Sequence, residues 1–407
     1  GYNYGETTEI FTTRYKVAKA DLPAGTYRNV VGNYALSMGL AAAAERSKLG
    51  LFYGGYPITP ASDILHTLSA WKHLGIKTFQ AEDEIAGITS VLGAAFTGDL
   101  GITATSGPGI ALKGEAMGLA VMAELPIVII NVQRGGPSTG LPTKTEQSDL
   151  MQAMYGRNGE APVPVLASST PGDCFFAAYE ACRIAVKYMT PVILLTDGYL
   201  ANGSEPWQVP KVADLPDFDV SFADESNLAD GQFLSYSRDK KTLARPWAIP
   251  GTPGLEHRIG GIETEDLTGN VSYDPDNHHY MVETRAKKVE AITNEIGPSE
   301  IFGNKSGELL ILSWGGTKGA CRSAAEALKA DGKKVSHLHL RWINPFPKDL
   351  GEKLIKFKHI LIPEINYGQL IKIIRAEFLV DAQGLNQVRG KPISSSDIQD
   401  AVNKLIG

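Results

Sequence analysis

The chain has 407 residues, of which 43% are hydrophobic and 21% are charged, and its formal net charge is -6 at pH 7. This length exceeds what one core usually fills, so we expect two domains, and the composition excludes a disordered or fibrous protein. The lack of a basic excess excludes nucleic acid as a partner. Apolar runs too short to cross a bilayer, and a start unlike a signal peptide, predict a cytoplasmic protein with no membrane partner.

The first half of the chain alternates between strands and helices. Residues 1–28 are polar and aromatic without an initiating Met, and we expect them to be a linker arm from a longer polypeptide. Ser62 is a favourable N-cap for one of the helices. The predicted strands are 51–53, 76–80, 101–105, 127–132 and 191–196, and the predicted helices are 33–48, 64–74, 84–96, 110–122 and 172–188. This alternation predicts an α/β fold with a doubly wound parallel sheet, which we assign to residues 29–245.

The second half begins with a polar stretch. Residues 200–290 are rich in Pro, Gly and Asp and show no clean period, so we expect them to wrap a domain or line an interface. We assign residues 246–300 to a connecting segment. The pattern after it predicts a smaller α/β domain over residues 301–407, preceded by a helix at 282–296. Its predicted strands are 308–314, 334–340 and 359–365, and its predicted helices are 319–330 and 369–379.

Cysteine and histidine are too scattered to predict a metal site. The three cysteines, Cys174, Cys182 and Cys321, show no CxxC spacing, so neither a disulfide framework nor an iron–sulfur cluster is expected in this chain. The histidines at 278–279 and at 337 and 339 lack carboxylate or Cys partners at ligand spacing. Any such cluster must therefore belong to a partner.

Three turns follow predicted strands in the first domain: Tyr56–Ser62, Gln80–Glu84 and Thr105–Gly109. Open α/β sheets bind ligands at the carboxyl ends of their strands, so the three turns are expected to meet at one crevice. Each is weak alone, since Glu82 could simply stabilise a helix N-terminus and the other two could be ordinary strand-to-helix connections. Together they point to thiamine diphosphate chemistry.

A fourth turn, Gln133–Thr143, places Arg134 and a Gly-rich, hydroxyl-rich loop after a buried strand. This arrangement is suited to holding a carboxylate by charge-assisted hydrogen bonds, although a solvated Arg on a surface loop has the same pattern. Two other turns carry no such signal. Gly315–Gly319 fits neither the dinucleotide nor the P-loop spacing, and Asp197 with Gly198 lacks the rest of a magnesium–diphosphate motif.

From about residue 33 to 406 these motifs, with Arg341–Pro347 in the second domain, resemble the α subunit of 2-oxoacid:ferredoxin oxidoreductases. The run 134–143 is most similar to the 2-oxoglutarate branch. The resemblance implies a pyrimidine-binding domain, a transketolase C-terminal-like domain and an N-terminal arm that links to a fused γ domain. It also implies a separate β subunit that shares the thiamine diphosphate and carries its magnesium and the nearest four-iron four-sulfur cluster.

The same resemblance assigns roles to residues. Glu82 is the catalytic acid that exchanges a proton with the aminopyrimidine, and we expect partial burial to raise its pKa. Thr59, Arg134 and Thr143 bind the substrate, while Asp83 and Glu84 are structural. The cofactor-binding residues are Pro57, Ile58, Thr59, Glu82, Ser106 and Gly107, and no residue of this chain is a metal ligand.

The implied function is oxidative decarboxylation of 2-oxoglutarate to succinyl-CoA and carbon dioxide, or the reverse reaction of carbon dioxide fixation in a reductive tricarboxylic acid cycle. Ferredoxin carries the electrons, coenzyme A takes the acyl group, and activity requires the β subunit. Pyruvate or a branched-chain 2-oxoacid remains an alternative substrate. A thiamine-dependent decarboxylase would need a diphosphate motif that this chain lacks, and a non-catalytic scaffold subunit would not need Thr59, Glu82 and Arg134 together.

Overall fold

The computed structural model describes residues 1–8, 16–20 and 22–407, so part of the predicted arm lies outside the described residues. The first elements are α1 (Tyr2–Thr7), β1 (Tyr27–Val31), α2 (Gly32–Ser47), β2 (Leu51–Gly55), α3 (Ser62–Ala70), β3 (Lys77–Gln80), α4 (Glu84–Phe96), β4 (Leu100–Thr105), α5 (Gly107–Leu112), α6 (Gly114–Ala123), β5 (Ile127–Gln133), α7 (Leu150–Tyr155), β6 (Val165–Ala167), α8 (Asp173–Tyr188), β7 (Val192–Asp197), α9 (Gly198–Asn202) and β8 (Ser204–Gln208). The later elements are β9 (Leu228–Ala229), β10 (Gln232–Phe233), α10 (Pro275–Ala291), β11 (Ile301–Phe302), β12 (Gly307–Trp314), α11 (Lys318–Ala330), β13 (Val335–Leu340), β14 (Trp342–Asn344), α12 (Leu350–Leu354), β15 (Phe357–Glu364), α13 (Gln369–Phe378), β16 (Ala382–Asn386) and α14 (Ser395–Ile406).

The first domain is built on a seven-stranded sheet with the order β14-β6-β7-β5-β4-β2-β3. All neighbours are parallel except β14, which comes from the second domain and pairs antiparallel with β6. The chain runs from β2 outward to β3 and then back past β2 to β4. The strand order therefore reverses between β2 and β4, and the crevice outside the carboxyl ends at such a point is the usual ligand position.

The second domain contains a five-stranded sheet with the order β11-β13-β12-β15-β16, parallel except for β11. Both domains thus have the expected α/β class with parallel sheets. One hydrophobic cluster continues from Ile129 and Leu195 of the first sheet to Leu310 and Leu312 of the second. This shared cluster, together with β14, fixes the two domains against each other.

Apolar patterning explains the core. Strands β4, β5 and β7 are buried along their whole length, as expected for a parallel sheet covered on both faces. Helix α2 packs against α8, where Cys174 and Cys182 are buried as small apolar side chains among alanines, as predicted. Among the described residues, no helix combines the length and the apolarity that crossing a bilayer requires.

The structure corrects three local predictions. The helix predicted at 282–296 lies instead at Pro275–Ala291. Ser62 is not an N-cap, because Ala61 occupies that position and the helix already includes Ser62; it ends at Ala70 rather than at residue 74. The predicted helix 110–122 is interrupted at Lys113, whose φ of -81° and ψ of -3° separate α5 from α6. Helix α7 and strand β6 were not predicted.

The polar stretch 200–290 covers the first domain, as expected. One attachment is to Glu124 of the first domain, which is buried and forms ion pairs with Arg238, at 2.5 Å, and with Lys288. Burial alone would raise the pKa of Glu124, but the two cations lower it to about 2. Arg245 Nε also donates to the Ala123 carbonyl at 3.0 Å. Buried charge therefore helps to hold this connection to the first domain, together with helix α10 and the pairing of β8 with β1.

Candidate active site at the strand ends

The backbone of the turn after β2 is fixed by hydrogen bonds within the turn and from helix α2. The backbone N–H groups of Ala61 and Ser62 donate to the Ile58 carbonyl at 2.8 and 3.1 Å. Asn33 of α2 donates from Nδ2 to the Pro60 carbonyl at 2.8 Å. Thr59 is exposed at the tip of this turn, while Pro57 and Ile58 are half-buried. The turn therefore presents Thr59 from a fixed backbone.

Arg134, after β5, reaches across to this turn. Its Nη1 donates to the Thr59 carbonyl at 2.5 Å, so the contact uses the backbone of Thr59 and leaves the Thr59 hydroxyl free for another partner. The Arg134 side chain is buried, and its Nε has no hydrogen-bond partner among the described residues. Burial lowers the pKa of Arg134, and the nearby Asp149 carboxylate opposes that shift. A desolvated guanidinium with a spare donor is suited to receive a carboxylate.

The loop from Arg134 to Thr143 separates two clefts. The first, of ≈ 650 Å³, which we term the threonine cleft, is lined by Thr59, Thr143, Lys144, Tyr199 and Lys391 among others. The second, of ≈ 660 Å³, which we term the arginine cleft, is lined by Gly107, Arg134, Glu146, Asp149 and Tyr367 among others. The structure thus places Thr59 with Thr143 on one side of the loop and Gly107 with Arg134 on the other. The Arg134–Thr59 contact joins the two sides.

The turn after β4 contains two glycines and a buried hydroxyl group that lacks a hydrogen-bond partner in the described part of the chain. The Ser106 Oγ is buried without a hydrogen-bond partner among the described residues. A Cβ at Gly107 would lie 3.0 Å from Asp149 Oδ1, and one at Gly109 would lie 1.9 Å from Thr105 Oγ1 and 2.8 Å from Glu84 Cγ. Glycine is therefore required at Gly109, where the turns after β3 and β4 touch each other.

Glu82 follows β3, which is the edge strand of the sheet. Its side chain is exposed in this single chain and lines neither cleft. The expected partial burial is therefore wrong for the isolated chain, because no strand within residues 1–8, 16–20 and 22–407 pairs beyond β3 to cover the position. Asp83 is structural, as expected, since its Oδ1 accepts from Ala86 N at 2.7 Å and caps α4. Glu84 is buried against Gly109.

Three charged residues at the site carry no sequence motif and were missed. Burial raises the pKa of Asp149, whose Oδ2 accepts from Asn131 Nδ2 at 3.0 Å, and burial also raises the pKa of Glu146. Lys113 is fully buried, and burial lowers its pKa to about 8 although Glu84 and Asp83 oppose the shift. Only their burial, which the amphipathic pattern does not reveal, distinguishes these residues from ordinary surface charges.

The second domain closes the site from one side through buried polar side chains. Gln147 donates from Nε2 to the Trp314 carbonyl at 2.8 Å and accepts at Oε1 from Ile365 N at 3.1 Å. Asp197 caps α9 and also accepts from Gly316 N at 3.2 Å, so it belongs to a structural turn, as interpreted from the sequence. Within the described ranges, no cluster of three or more His, Cys, Asp or Glu residues could hold a metal ion.

Comparison with known proteins gives consistent matches. The family model "Pyruvate flavodoxin/ferredoxin oxidoreductase, thiamine diP-bdg" matches residues 46–273, and "Pyruvate:ferredoxin oxidoreductase core domain II" matches residues 307–398. The 2-oxoglutarate oxidoreductase subunit KorA of Mycobacterium tuberculosis is 53% identical over 98% of this chain and 60% of its own length. The 2-oxoglutarate synthase subunit KorA of Archaeoglobus fulgidus is 34% identical over 79% of this chain and 84% of its own length.

Solved structures agree with these matches. A 2-oxoglutarate:ferredoxin oxidoreductase from Magnetococcus marinus, with 2-oxoglutarate, coenzyme A and succinyl-CoA bound, superposes with a TM-score of 0.91 at 33% identity, over 100% of this chain and 70% of that one. A transketolase from Campylobacter jejuni shares the fold alone, with a TM-score of 0.52 at 12% identity, over 93% of this chain and 47% of that one. The chain spans about 60% of the length of the Mycobacterium tuberculosis relative.

Proposed function

Because this chain belongs to the 2-oxoacid:ferredoxin oxidoreductase α-subunit family, we propose that it binds the 2-oxoacid and the aminopyrimidine of thiamine diphosphate in such an enzyme. The observation that carries this proposal is the Arg134–Thr59 contact, which joins two of the four turns at the reversal point of the sheet. 2-Oxoglutarate is the substrate we favour, since the relatives from Mycobacterium tuberculosis and Archaeoglobus fulgidus bear that name. Pyruvate and branched-chain 2-oxoacids are the alternatives.

We assign Ser106 and Gly107, in the turn after β4, to the edge of the aminopyrimidine. The buried Ser106 hydroxyl has no hydrogen-bond partner among the described residues, and Gly107 lines the arginine cleft without a side chain. Pro57 and Ile58 would add apolar contacts. When bound, thiamine diphosphate supplies the electron sink that decarboxylation of a 2-oxoacid requires.

Glu82 would hold a proton at a ring nitrogen of the aminopyrimidine and exchange it during turnover. A carboxyl group does this best when it is desolvated, so a second polypeptide has to cover the exposed side chain. The proposal therefore requires a β subunit that packs against the edge strand β3. Activity of this chain alone is not expected.

Substrate binding would fall to the loop after β5. Arg134, which lines the arginine cleft, would hold a carboxylate through charge-assisted hydrogen bonds from its guanidinium group. The hydroxyls of Thr59 and Thr143 are exposed in the threonine cleft, on the other side of the loop from the arginine cleft, and would orient the part of the ligand that extends past the Arg134–Thr59 contact. A substrate with two carboxylates makes better use of this set of donors than pyruvate does.

The remaining parts of the reaction would lie in other polypeptides or domains. All three cysteines are buried, and burial raises the pKa of each thiol, so none is suited to hold an iron–sulfur cluster. We assign the magnesium, the diphosphate and the four-iron four-sulfur cluster to the β subunit, electron transfer to ferredoxin, and acyl transfer to coenzyme A. Residues 1–28 would link to a γ domain. We assign residues 29–245 to the pyrimidine-binding domain, residues 246–300 to the connecting segment and residues 301–407 to the transketolase C-terminal-like domain. The complex would lie in the cytoplasm.

Reconstitution with the β subunit tests this function. The complex should release carbon dioxide from 2-oxoglutarate with reduction of methyl viologen, and more slowly from pyruvate or a branched 2-oxoacid. Faster turnover of pyruvate would reassign the substrate while keeping the reaction. No turnover of any 2-oxoacid in a complex that contains its iron and thiamine diphosphate would favour the non-catalytic scaffold.

A further inference from the structure

The proposed reaction assigns no role to Lys113, a buried charged residue. It lies between α5 and α6, at the end of the short helix that begins with Gly107, and its side chain is fully buried. Its Nζ donates to the Glu84 carbonyl at 2.7 Å. Glu84 lies in the first turn of α4, two residues after Glu82. One buried ammonium thus joins the turn after β4 to the turn after β3.

Stability alone does not account for this lysine. No described carboxylate lies within 4.0 Å of its Nζ, so the ammonium has lost water without gaining an ion pair. A cation near the first turn of α4 also opposes the dipole of that helix. The acids that partly offset this are Asp83 and Glu84, which act at longer range. An apolar side chain of similar length would fill the same space at less cost.

The two turns also pack closely against each other. Gly109 packs so closely on Glu84 that a Cβ there would lie 2.8 Å from Glu84 Cγ. Asp83 fixes the other side of the turn through its cap on Ala86 N. Among the described residues, the hydrogen bond from Lys113 is the one that crosses this contact, and it is made to the backbone two residues after Glu82.

From this geometry we propose that Lys113 is a positioning residue, which holds the turn bearing Glu82 in register with the turn bearing Ser106 and Gly107. The inference rests on the proposed function for its catalytic consequence, but the restraint itself is a property of this chain. Lys113 contacts neither cleft, so it acts on the reaction only through the placement of Glu82. Because a displacement of about 1 Å can lower a rate 100-fold, loss of this restraint should affect kcat.

The first test uses Lys113→Met and Lys113→Arg in the reconstituted complex. Lys113→Met should lower kcat for carbon dioxide release at least tenfold and raise the thiamine diphosphate concentration for half-saturation, while the KM for 2-oxoglutarate stays close to the wild-type value and the melting temperature does not fall. Lys113→Arg, which keeps a donor, should recover part of kcat. The matched control is Lys187→Met. Lys187 lies in the last turn of α8 and pairs with Glu295, so this substitution should leave kcat unchanged.

The second test needs no turnover. Hydrogen exchange of the amides at residues 84–87 in the full chain should become faster in Lys113→Met and stay unchanged in Lys187→Met. Unchanged exchange, or wild-type kcat and cofactor half-saturation, would overturn the positioning role, as would an activity loss that only follows a fall in melting temperature. An inactive wild-type complex combined with faster exchange would instead refute the proposed function and keep the restraint.

Discussion

The buried lysine should make the stability of this protein depend on pH in a way that Lys113→Met removes. Burial lowers the pKa of Lys113 from 10.5 to about 8, against the opposing charges of Glu84 and Asp83. The folded state therefore binds this proton more weakly than the unfolded state does. Below about pH 8 both states are protonated and the folded state bears the full penalty.

The size of the effect follows from the two pKa values. A shift from 10.5 to about 8 corresponds to roughly 3 kcal/mol at 1.36 kcal/mol per pH unit. The free energy of unfolding of the wild type should therefore rise by roughly 3 kcal/mol relative to Lys113→Met as the pH increases from about 8 to about 10.5. Below this window the difference between the two proteins should be constant.

Urea unfolding of both proteins, at several pH values between about 7 and 10.5, measures this difference. Other lysines that titrate in the same range, Lys288 among them, are present in both proteins and cancel in the comparison. Lys187→Met serves as a control that should run parallel to the wild type. A difference between the wild type and Lys113→Met that does not change with pH would refute the buried, desolvated ammonium on which the argument depends.

Two further predictions concern the substrate and the cover of the first domain. Arg134→Met should raise the KM for 2-oxoglutarate about 100-fold, because one or two charge-assisted hydrogen bonds to the substrate, of about 1.5–3 kcal/mol, are lost. An unchanged KM in steady-state assays of the complex would contradict this prediction. Glu124→Gln should destabilise the chain by about 3–5 kcal/mol, because Arg238 and Lys288 stay buried without their partner. The stabilising contribution of Glu124 should be present above pH 4.5 and be lost as the pH falls toward about 2. If acid unfolding curves of the wild type and the variant coincide, this prediction is refuted.

Much of the fold could be predicted because its signals are local. Helix α4 has the predicted bounds of 84–96, since Asp83 caps it and an apolar run defines its length. The buried strands were found from short apolar runs between Gly-rich turns. The parallel topology then places the ends of β2, β3, β4 and β5 at one edge of the sheet, so the contacts between the turns after β2 and β5 and between those after β3 and β4 could also be predicted.

The rest depends on contacts between distant parts of the chain. Strand β6 has three residues and is defined by its pairing with β7 and with β14 from the other domain, which no local pattern indicates. Lys113, where the predicted helix is interrupted, has a charged side chain that is fully buried, contrary to the pattern. The exposure of Glu82 was not predicted, because the position of β3 at the edge of the sheet depends on the pairing of distant strands.

The central claim is that the Glu82 carboxyl exchanges a proton with the cofactor ring. The most direct measurement is carbon dioxide release from 2-oxoglutarate by the reconstituted complex with Glu82→Gln, an amide of the same shape that cannot exchange the proton. We predict a loss of at least about 100-fold with the fold, the thiamine diphosphate content and the β subunit retained. Turnover close to that of the wild type would contradict the account.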